Sequence, residues 1–214
     1  LPIYLYELQL NVSDGTATVI SDLEILVTDA VEGRVVDAPL KDADVCLDLN
    51  SDAQCSEDEE VYQSDELGFY NLPNVEAIEG VKPQVISIGG IDIVTGKNLE
   101  NLALMATVPT DPTKKITITP LSTLLSISDD PDALVLGLGI DEGITADELV
   151  ELDPWLGTES ESQVTDEIST GLGLSVEELD SVMEKSLTLS VQIANLIQTA
   201  DKAIPSTTEG NVQS

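Results

Sequence analysis

Histidine is absent from this sequence of 214 residues, and basic residues are scarce: eight Lys and Arg stand against 41 Asp and Glu. Without histidine the chain has no His general base, no Ser-His or Cys-His dyad and no histidine ligand for zinc. The formal net charge of −33 repels nucleic acid and anionic membrane surfaces. The composition therefore excludes much of the enzyme repertoire and predicts no nucleic-acid partner.

Aromatic residues and long apolar runs are also scarce. Aromatics make up 3% of the residues, and sugars are usually gripped by exposed aromatic faces. Trp155, in "DPWLG", is expected to anchor the core. No apolar run reaches the roughly 18 residues of a membrane-spanning helix, so direct membrane insertion is not expected. The motifs G-x-S-x-G, H-E-x-x-H and the P-loop are missing as well, and we predict that the chain is not an enzyme.

What the chain does contain is enough apolar material to fold. The hydrophobic share is 42%, well above that of a disordered acidic tail, and the length allows two domains. An acidic surface of this kind suits surroundings rich in salt or divalent cations, which screen its self-repulsion. We therefore expect an extracellular or cell-surface protein, with calcium as the natural cofactor. Because the chain starts at Leu1, we expect a processed chain or an excised piece.

Residues 1–30 are predicted to form an N-terminal β-hairpin. Alternating residues, the period of a half-buried strand, form one apolar set: Tyr4, Tyr6, Leu8, Leu10 and Val12. "SDGT" at 13–16 supplies an Asp-Gly turn before the return strand. The pattern is similar to the last hairpin of cadherin-like domains in bacterial surface proteins. Three interpretations stay open: the end of a preceding repeat, an edge of the next domain, or a strand donated to a neighbouring subunit.

The rest of the chain divides by composition into a β-rich and a helical part, an α+β class. Residues 31–110 hold short β-rich runs at spacings of about ten residues, which favours a small antiparallel β-sandwich. Thr119 and Pro120 read as an N-cap and first helical position, so a helical domain is predicted for 119–204, before a loose tail at 205–214. A long helix is expected from Val176 to Ala203, either as a bundle core or as an intersubunit seam.

The segment "DLNSDAQCSEDE", which begins at Asp48, has the oxygen spacing of an EF-hand-type calcium loop. Counted from position 1 to position 12, the candidate metal ligands are Asp48, Asn50, Asp52, Gln54, Ser56 and Glu59. Position 7 would use its backbone carbonyl and position 12 a bidentate carboxylate. Position 6 is Ala53, where the motif has Gly, and the preceding segment reads as a strand rather than a helix. The alternative is a solvated acidic turn; Asp58 and Asp65 are spare carboxylates.

Cys46 precedes this loop and Cys55 lies within it, and they are the only two cysteines. In an extracellular setting they predict a disulfide that curls the metal loop in advance. A redox-active pair is the alternative, but it usually needs a C-x-x-C spacing and a nearby positive charge. "SDDPDA" at 128–133 is a possible second cation site that an acidic helix-capping turn explains more simply.

The stretch 31–73 resembles the carboxypeptidase-regulatory-like and SdrD B-like β-sandwich modules of bacterial surface proteins. The pattern positions in this chain are Gly33, Val35, Asp37, Pro39, Leu40, Ala43, Val45, Asp48, Asn50, Asp52, Asp65, Gly68 and Tyr70. "ITPLSTLL" and the helices after it are similar to an α-helical extension of such modules. The resemblance implies a non-enzymatic, calcium-stabilised spacer or display module in an adhesin, stalk or surface filament.

Two non-enzymatic functions follow from these features. The first is an extracellular structural protein: an adhesin module, or a filament subunit whose N-terminal strand completes the sheet of the next subunit. Its partners would be other copies of the chain, in a homo-oligomer or filament, or neighbouring repeats of a longer surface protein. The alternative is a carbohydrate- or cell-wall-binding accessory module of a secreted bacterial protein.

Overall fold

The structure is a computed structural model that describes residues 4–13, 18–27, 30–50, 52–73, 83–109, 114–140, 143–155 and 168–203. The strands are β1 Tyr4–Ser13, β2 Thr18–Val27, β3 Val31–Val35, β4 Leu40–Lys41, β5 Asp44–Asp48, β6 Tyr62–Gln63, β7 Phe69–Leu72, β8 Gln84–Ile88, β9 Ile91–Asp92, β10 Ala103–Thr107 and β11 Ile116–Ile118. The helices are α1 Pro120–Ser126, α2 Pro131–Gly137, α3 Ala146–Glu151 and α4 Val176–Ala203. The fold is therefore mixed, with several antiparallel sheets and a C-terminal helix.

The two N-terminal strands form an antiparallel pair. Strands β1 and β2 pair antiparallel from Tyr4 opposite Val27 to Ser13 opposite Thr18. This register sets Leu8 opposite Leu23, so the apolar sets that alternate along the two strands are aligned with each other. The predicted Asp-Gly turn and the loose tail at 205–214 lie outside the described residues.

Among the described residues, two larger sheets and one small one make up the rest of the β-structure. The four-stranded antiparallel sheet has the order β10-β8-β5-β6, the three-stranded sheet the order β11-β3-β7, and β4 pairs with β9. Strand β3 is antiparallel to β7 but parallel to β11. The parallel partner β11 lies outside the range 31–110 for which an antiparallel sandwich was predicted. Side-chain alternation is the same in both directions, so the sequence pattern does not distinguish them.

Gly33 lets β11 approach β3 closely. A Cβ atom at this position would lie 1.8 Å from the carbonyl oxygen of Ile116, its partner in the parallel register. The same carbonyl accepts a hydrogen bond of 2.8 Å from the Tyr70 hydroxyl on β7. Burial, with a smaller contribution from Glu32, raises the pKa of Tyr70 well above its ordinary value of 10.0, so the hydroxyl keeps its proton and remains a donor.

One hydrophobic core joins the sheets to the helices. Each of the two larger sheets contributes fully buried side chains, Val35 and Ile118 from one and Val45 and Leu104 from the other. The same cluster includes residues of each of the four helices named above: Leu121, Leu125, Val135, Ala146, Leu149, Val150, Leu179, Val182 and Met183. The predicted β-rich and helical parts of the chain therefore share a core, and β11 lies between their predicted ranges.

The helix ends follow the capping residues that the sequence offers. Thr119 accepts a hydrogen bond from the backbone N–H of Ser122, and Ser122 Oγ accepts one from the N–H of Thr119, a complete capping box at α1. Asp130 caps α2 by accepting from the N–H of Ala133, which is the capping role that "SDDPDA" was expected to play. Thr145 and Glu148 form a second capping box at α3.

Helix α4 has the predicted bounds, Val176–Ala203. Its buried side chains are Leu179, Val182, Met183, Ser186, Ser190 and Ala194. Leu196 and Val191, which would widen the apolar surface, are instead 70% and 46% exposed. Trp155, expected in the core, is half-buried, and its backbone N–H donates to Asp153. None of the described helices has the length and apolar character needed to span a membrane.

Candidate functional site

The candidate site is the acidic loop between β5 and β6, closed by a disulfide. Strand β5 places Cys46 in the core, where it is fully buried. Cys46 is bonded to Cys55, with the Cα atoms 5.7 Å apart and a sequence separation of nine, so the predicted disulfide is confirmed. A loop of this size lowers the entropy of the unfolded chain enough to stabilise the fold by about 2–3 kcal/mol.

Asp48 organises the first half of the loop from a buried position. Its side chain is 1% exposed. One carboxylate oxygen accepts a hydrogen bond of 3.1 Å from the N–H of Asn50, and the other accepts one of 3.0 Å from the N–H of Ala53. A buried carboxylate is costly unless it is hydrogen-bonded, and these charge-assisted bonds hold the chain in a tight curl.

Glu59 joins the two halves of the loop. Its side chain is 8% exposed, with Oε1 accepting from the N–H of Leu49 at 2.8 Å and Oε2 accepting from the N–H of Ser56 at 2.9 Å. The carboxylate predicted to bind a metal with both oxygens thus binds two backbone N–H groups instead. It ties the end of β5 to the residue after Cys55.

Three polar side chains converge on the exposed side of the loop. Asp52 Oδ2 accepts from Ser56 Oγ at 2.9 Å and from Asn50 Nδ2 at 3.1 Å. Asn50 Nδ2 also donates to Ser56 Oγ at 3.2 Å. The Ser56 hydroxyl, followed by the N–H of Gln54 and the amide of Asn50, lowers the pKa of Asp52 below its ordinary 3.8. Asp52 is therefore held in its charged form.

Ala53 has the backbone conformation that a calcium loop requires at position 6. Its φ of 58° lies in the left-handed region, which glycine adopts at little cost and alanine at roughly 1–2 kcal/mol. The sequence departs from the calcium motif in residue type at this position, but the loop makes the sharp turn that the motif glycine makes.

The donor chemistry of the loop suits a hard cation, since carboxylate, amide and hydroxyl oxygens are the ligands that calcium takes. In the part of the chain that the structure describes, however, no three Asp, Glu or Cys side chains are grouped as metal ligands. Gln54 and Asp58 are exposed. Asp65 caps another turn by accepting from the N–H groups of Leu67 and Phe69. The fold thus brings the six predicted ligands into one loop but aims its two buried carboxylates at backbone N–H groups.

Sequence reasoning missed a buried ion pair. Arg34 on β3 and Asp153 after α3 are 3% and 7% exposed, and their charged atoms lie 3.1 Å apart. Arg34 Nε also donates to the carbonyl of Leu67 at 2.7 Å. The only available signal was a single arginine in the apolar strand "EGRVV" of a chain with eight basic residues.

Comparison with protein-family models, with curated proteins and with solved structures finds no match for this chain. The resemblance of residues 31–73 to surface-protein modules therefore rests on the residues of this chain alone.

Proposed function

We propose that this chain is a non-enzymatic structural module of an extracellular or cell-surface protein, in which a disulfide-clasped loop braces a β-sandwich and binds calcium. The observation that carries the proposal is the loop itself: Cys46–Cys55 closes a turn that contains the buried Asp48, and the buried Glu59 follows that turn. A disulfide persists mainly in oxidising surroundings, and calcium is abundant outside cells. A brace of this kind stabilises the fold mechanically and has no catalytic role.

The sandwich is our interpretation of the two larger sheets. Val35 and Ile118 come from one sheet and Val45 and Leu104 from the other, and all four are buried in one cluster. Two sheets that bury their facing side chains against each other form a sandwich. The loop follows β5, a central strand of the four-stranded sheet, so a force applied to the loop is carried directly into the core.

Calcium would be held by the oxygens of Asp48, Asn50, Asp52, Ser56 and Glu59, and by the backbone carbonyl of Gln54. Asn50, Asp52 and Ser56 already lie within hydrogen-bonding distance of one another. Because binding to the folded state alone raises stability in proportion to the logarithm of ligand concentration over Kd, calcium should raise the melting temperature.

A calcium titration monitored by thermal unfolding tests this function, with magnesium as the competing ion. The chain should melt at a higher temperature in millimolar calcium, and Asp52→Asn should reduce that increase. Glu57→Gln is the matched control: it removes an exposed charge on the same loop at a position outside the candidate ligands, and it should keep the full increase. If saturating calcium leaves the melting temperature of the unaltered chain unchanged, the loop is an acidic turn braced by the disulfide alone.

Self-association, in a filament or between repeats, is the second half of the proposal, and the N-terminal hairpin is its candidate joint. Strands β1 and β2 form a two-stranded sheet, so each has an outer edge without a backbone partner among the described residues. The edge of β10 is protected: Met105 donates to Thr123 Oγ1 at 2.9 Å and accepts from Ser122 Oγ at 2.7 Å. Open edges favour pairing with another chain, whereas covered edges prevent it.

Electron microscopy of the full chain, with calcium and with excess EDTA, tests this second half. We expect ordered assemblies in calcium that Leu8→Lys disrupts, because Leu8 belongs to the apolar set of β1. Gln9→Lys places a lysine at the neighbouring position of the same strand and should leave assembly intact. Discrete single particles in both conditions would identify the chain as a unit that acts alone or within a longer protein.

A further inference from the structure

A small cavity lies where α1, α3 and α4 meet. Its volume is about 10 Å³, at the lower limit of the space that holds one water molecule. Four of its lining residues carry hydroxyl groups, and the others are apolar. The hydroxyl-bearing residues are Thr119, Ser122, Ser186 and Ser190. An apolar cavity of this kind would stay dry, but a polar one with several hydrogen-bonding groups is a site for ordered water.

Two of the hydroxyls are buried without a partner. Ser186 and Ser190 are 4% and 3% exposed, and neither Oγ has a hydrogen-bond partner among the described residues. Serine in a helix often donates back to the carbonyl four residues earlier, as Ser126 does to Ser122 at 2.9 Å. Ser186 and Ser190 do not. The two serines are four residues apart on α4 and therefore lie on one face of the helix.

We infer that the cavity binds one water molecule that bridges Ser186 and Ser190. Buried polar groups are nearly always paired with protein or with ordered water, and a buried water typically makes about three hydrogen bonds. Thr119 is the available third partner. Its Oγ1 accepts from the N–H of Ser122 at 2.9 Å, which leaves its own hydrogen free to donate. Ser122 Oγ is occupied by the carbonyl of Met105 and the N–H of Thr119.

The water would give α4 a specific position on the rest of the fold. One to two turns before Ser186, Leu179, Val182 and Met183 attach α4 to the common core through apolar contacts. Apolar contacts tolerate small shifts along the helix axis. A water shared by two hydroxyls of α4 and the N-cap residue of α1 tolerates no such shift, because hydrogen bonds are directional. This role is independent of calcium and of assembly, so it goes beyond the function proposed above.

A double-mutant cycle on the full chain tests the inference, using Ser186→Ala, Ser190→Ala and the double variant in denaturant unfolding. Alanine has the higher helix propensity, but that effect is present in each single variant and cancels in the cycle. If one water serves both hydroxyls, the loss in the double variant is smaller than the two single losses combined. The unfolding equilibrium constant should then depart from the product of the single effects by at least about twofold.

Ser87→Ala is the matched control. Ser87 Oγ is also buried without a partner among the described residues, but it lies on β8 and does not line the cavity. Combined with Ser186→Ala it should be additive. A high-resolution crystal structure of the full chain should show one water within hydrogen-bonding distance of both serine oxygens. An additive Ser186–Ser190 cycle, or an empty cavity in that structure, would overturn the inference.

Discussion

Arg34 Nη1 lies 3.1 Å from Asp153 Oδ2, and the pair joins strand β3 to the segment after α3 across 119 positions of sequence. Both side chains are almost fully buried, and the guanidinium also lies 4.9 Å from the centre of the Phe69 ring. In a chain whose acids outnumber its bases 41 to 8, this arginine is one of few cations and is placed between the sheets and the helices.

Arg34→Met should therefore destabilise the protein strongly. Removing one member of a buried ion pair leaves the other charge without compensation, which typically costs about 3–5 kcal/mol in the free energy of unfolding. Urea denaturation followed by circular dichroism measures this. Lys114→Met is the control, because Lys114 and Glu151 form an ion pair of 2.7 Å in which the lysine is 43% exposed. Its loss should cost at most about 1 kcal/mol; equal losses in the two variants would contradict the prediction.

Gly33→Ala should separate β11 from β3. The new methyl group would collide with the carbonyl of Ile116, a backbone atom that is not free to rotate away. We expect the free energy of unfolding to fall by about 2 kcal/mol or more. Amide hydrogen exchange in β11 should become faster. Gly137→Ala is the control, because a Cβ there meets nothing within 4 Å and alanine favours the helix by up to about 1 kcal/mol. A Gly33→Ala variant as stable as the unaltered chain would show that the two strands do not pair this closely.

Ala53→Gly should stabilise the protein although it removes a methyl group. The φ of 58° is unfavourable for alanine, and glycine relieves about 1 kcal/mol of that strain. The same change should tighten calcium binding, since the motif residue is then present. Ala133→Gly provides the comparison within helix α2, where it should destabilise by about 1 kcal/mol. The two substitutions should thus shift the melting temperature in opposite directions.

Glu178 should make stability depend on pH at the start of α4. It accepts from the N–H of Ser175 at 2.7 Å, and its own N–H donates to Ser175 Oγ at 3.2 Å. Hydrogen bonds to the carboxylate from the backbone N–H of Ser175 and then from its side chain lower the pKa of Glu178 below its ordinary 4.5. A carboxyl with a lowered folded-state pKa stabilises the protein above its unfolded pKa, and this stability is lost as the pH falls through the folded value. Unfolding midpoints of Glu178→Gln should consequently show a weaker decrease below about pH 4.5 than those of the unaltered chain.

Asp37 should have the opposite dependence. Burial, followed by repulsion from Asp92, raises the pKa of Asp37 above its ordinary 3.8, although Lys97 partly opposes this. A raised folded-state pKa gives stability that is present below the unfolded pKa and is lost as the pH rises through the folded value. Asp37→Asn should therefore be more stable than the unaltered chain at neutral pH, with the difference shrinking on acidification. Asp92→Asn should give part of the same gain by removing the repulsion.

The elements predicted well from sequence are those that neighbouring residues decide. Thr119 before Pro120 predicted the start of α1, and periodicity from Val176 to Ala203 predicted α4, because caps and helical repeats act within a few residues. The β1–β2 hairpin also follows from alternation and one turn. Cys46 and Cys55 were the only possible disulfide partners within one chain.

The candidate loop was predicted in composition but not in arrangement. The spacing from Asp48 to Glu59 predicted that these oxygen donors share one turn. Sequence spacing does not show which atoms the carboxylates will contact. Glu59 accepts from Leu49 and Ser56 because those partly buried N–H groups lie beside it in the folded loop and need an acceptor.

By itself, then, the sequence determined the acidic composition, the alternation of β1 and β2, the start of α1, the bounds of α4, the disulfide and the position of the oxygen-rich loop, all of which depend on composition or on residues close in the chain. Only the tertiary structure decided the parallel pairing of β11 with β3, the Arg34–Asp153 ion pair and the common core of sheets and helices. These contacts join residues far apart in sequence, and their formation depends on how the whole core packs, which no local pattern encodes.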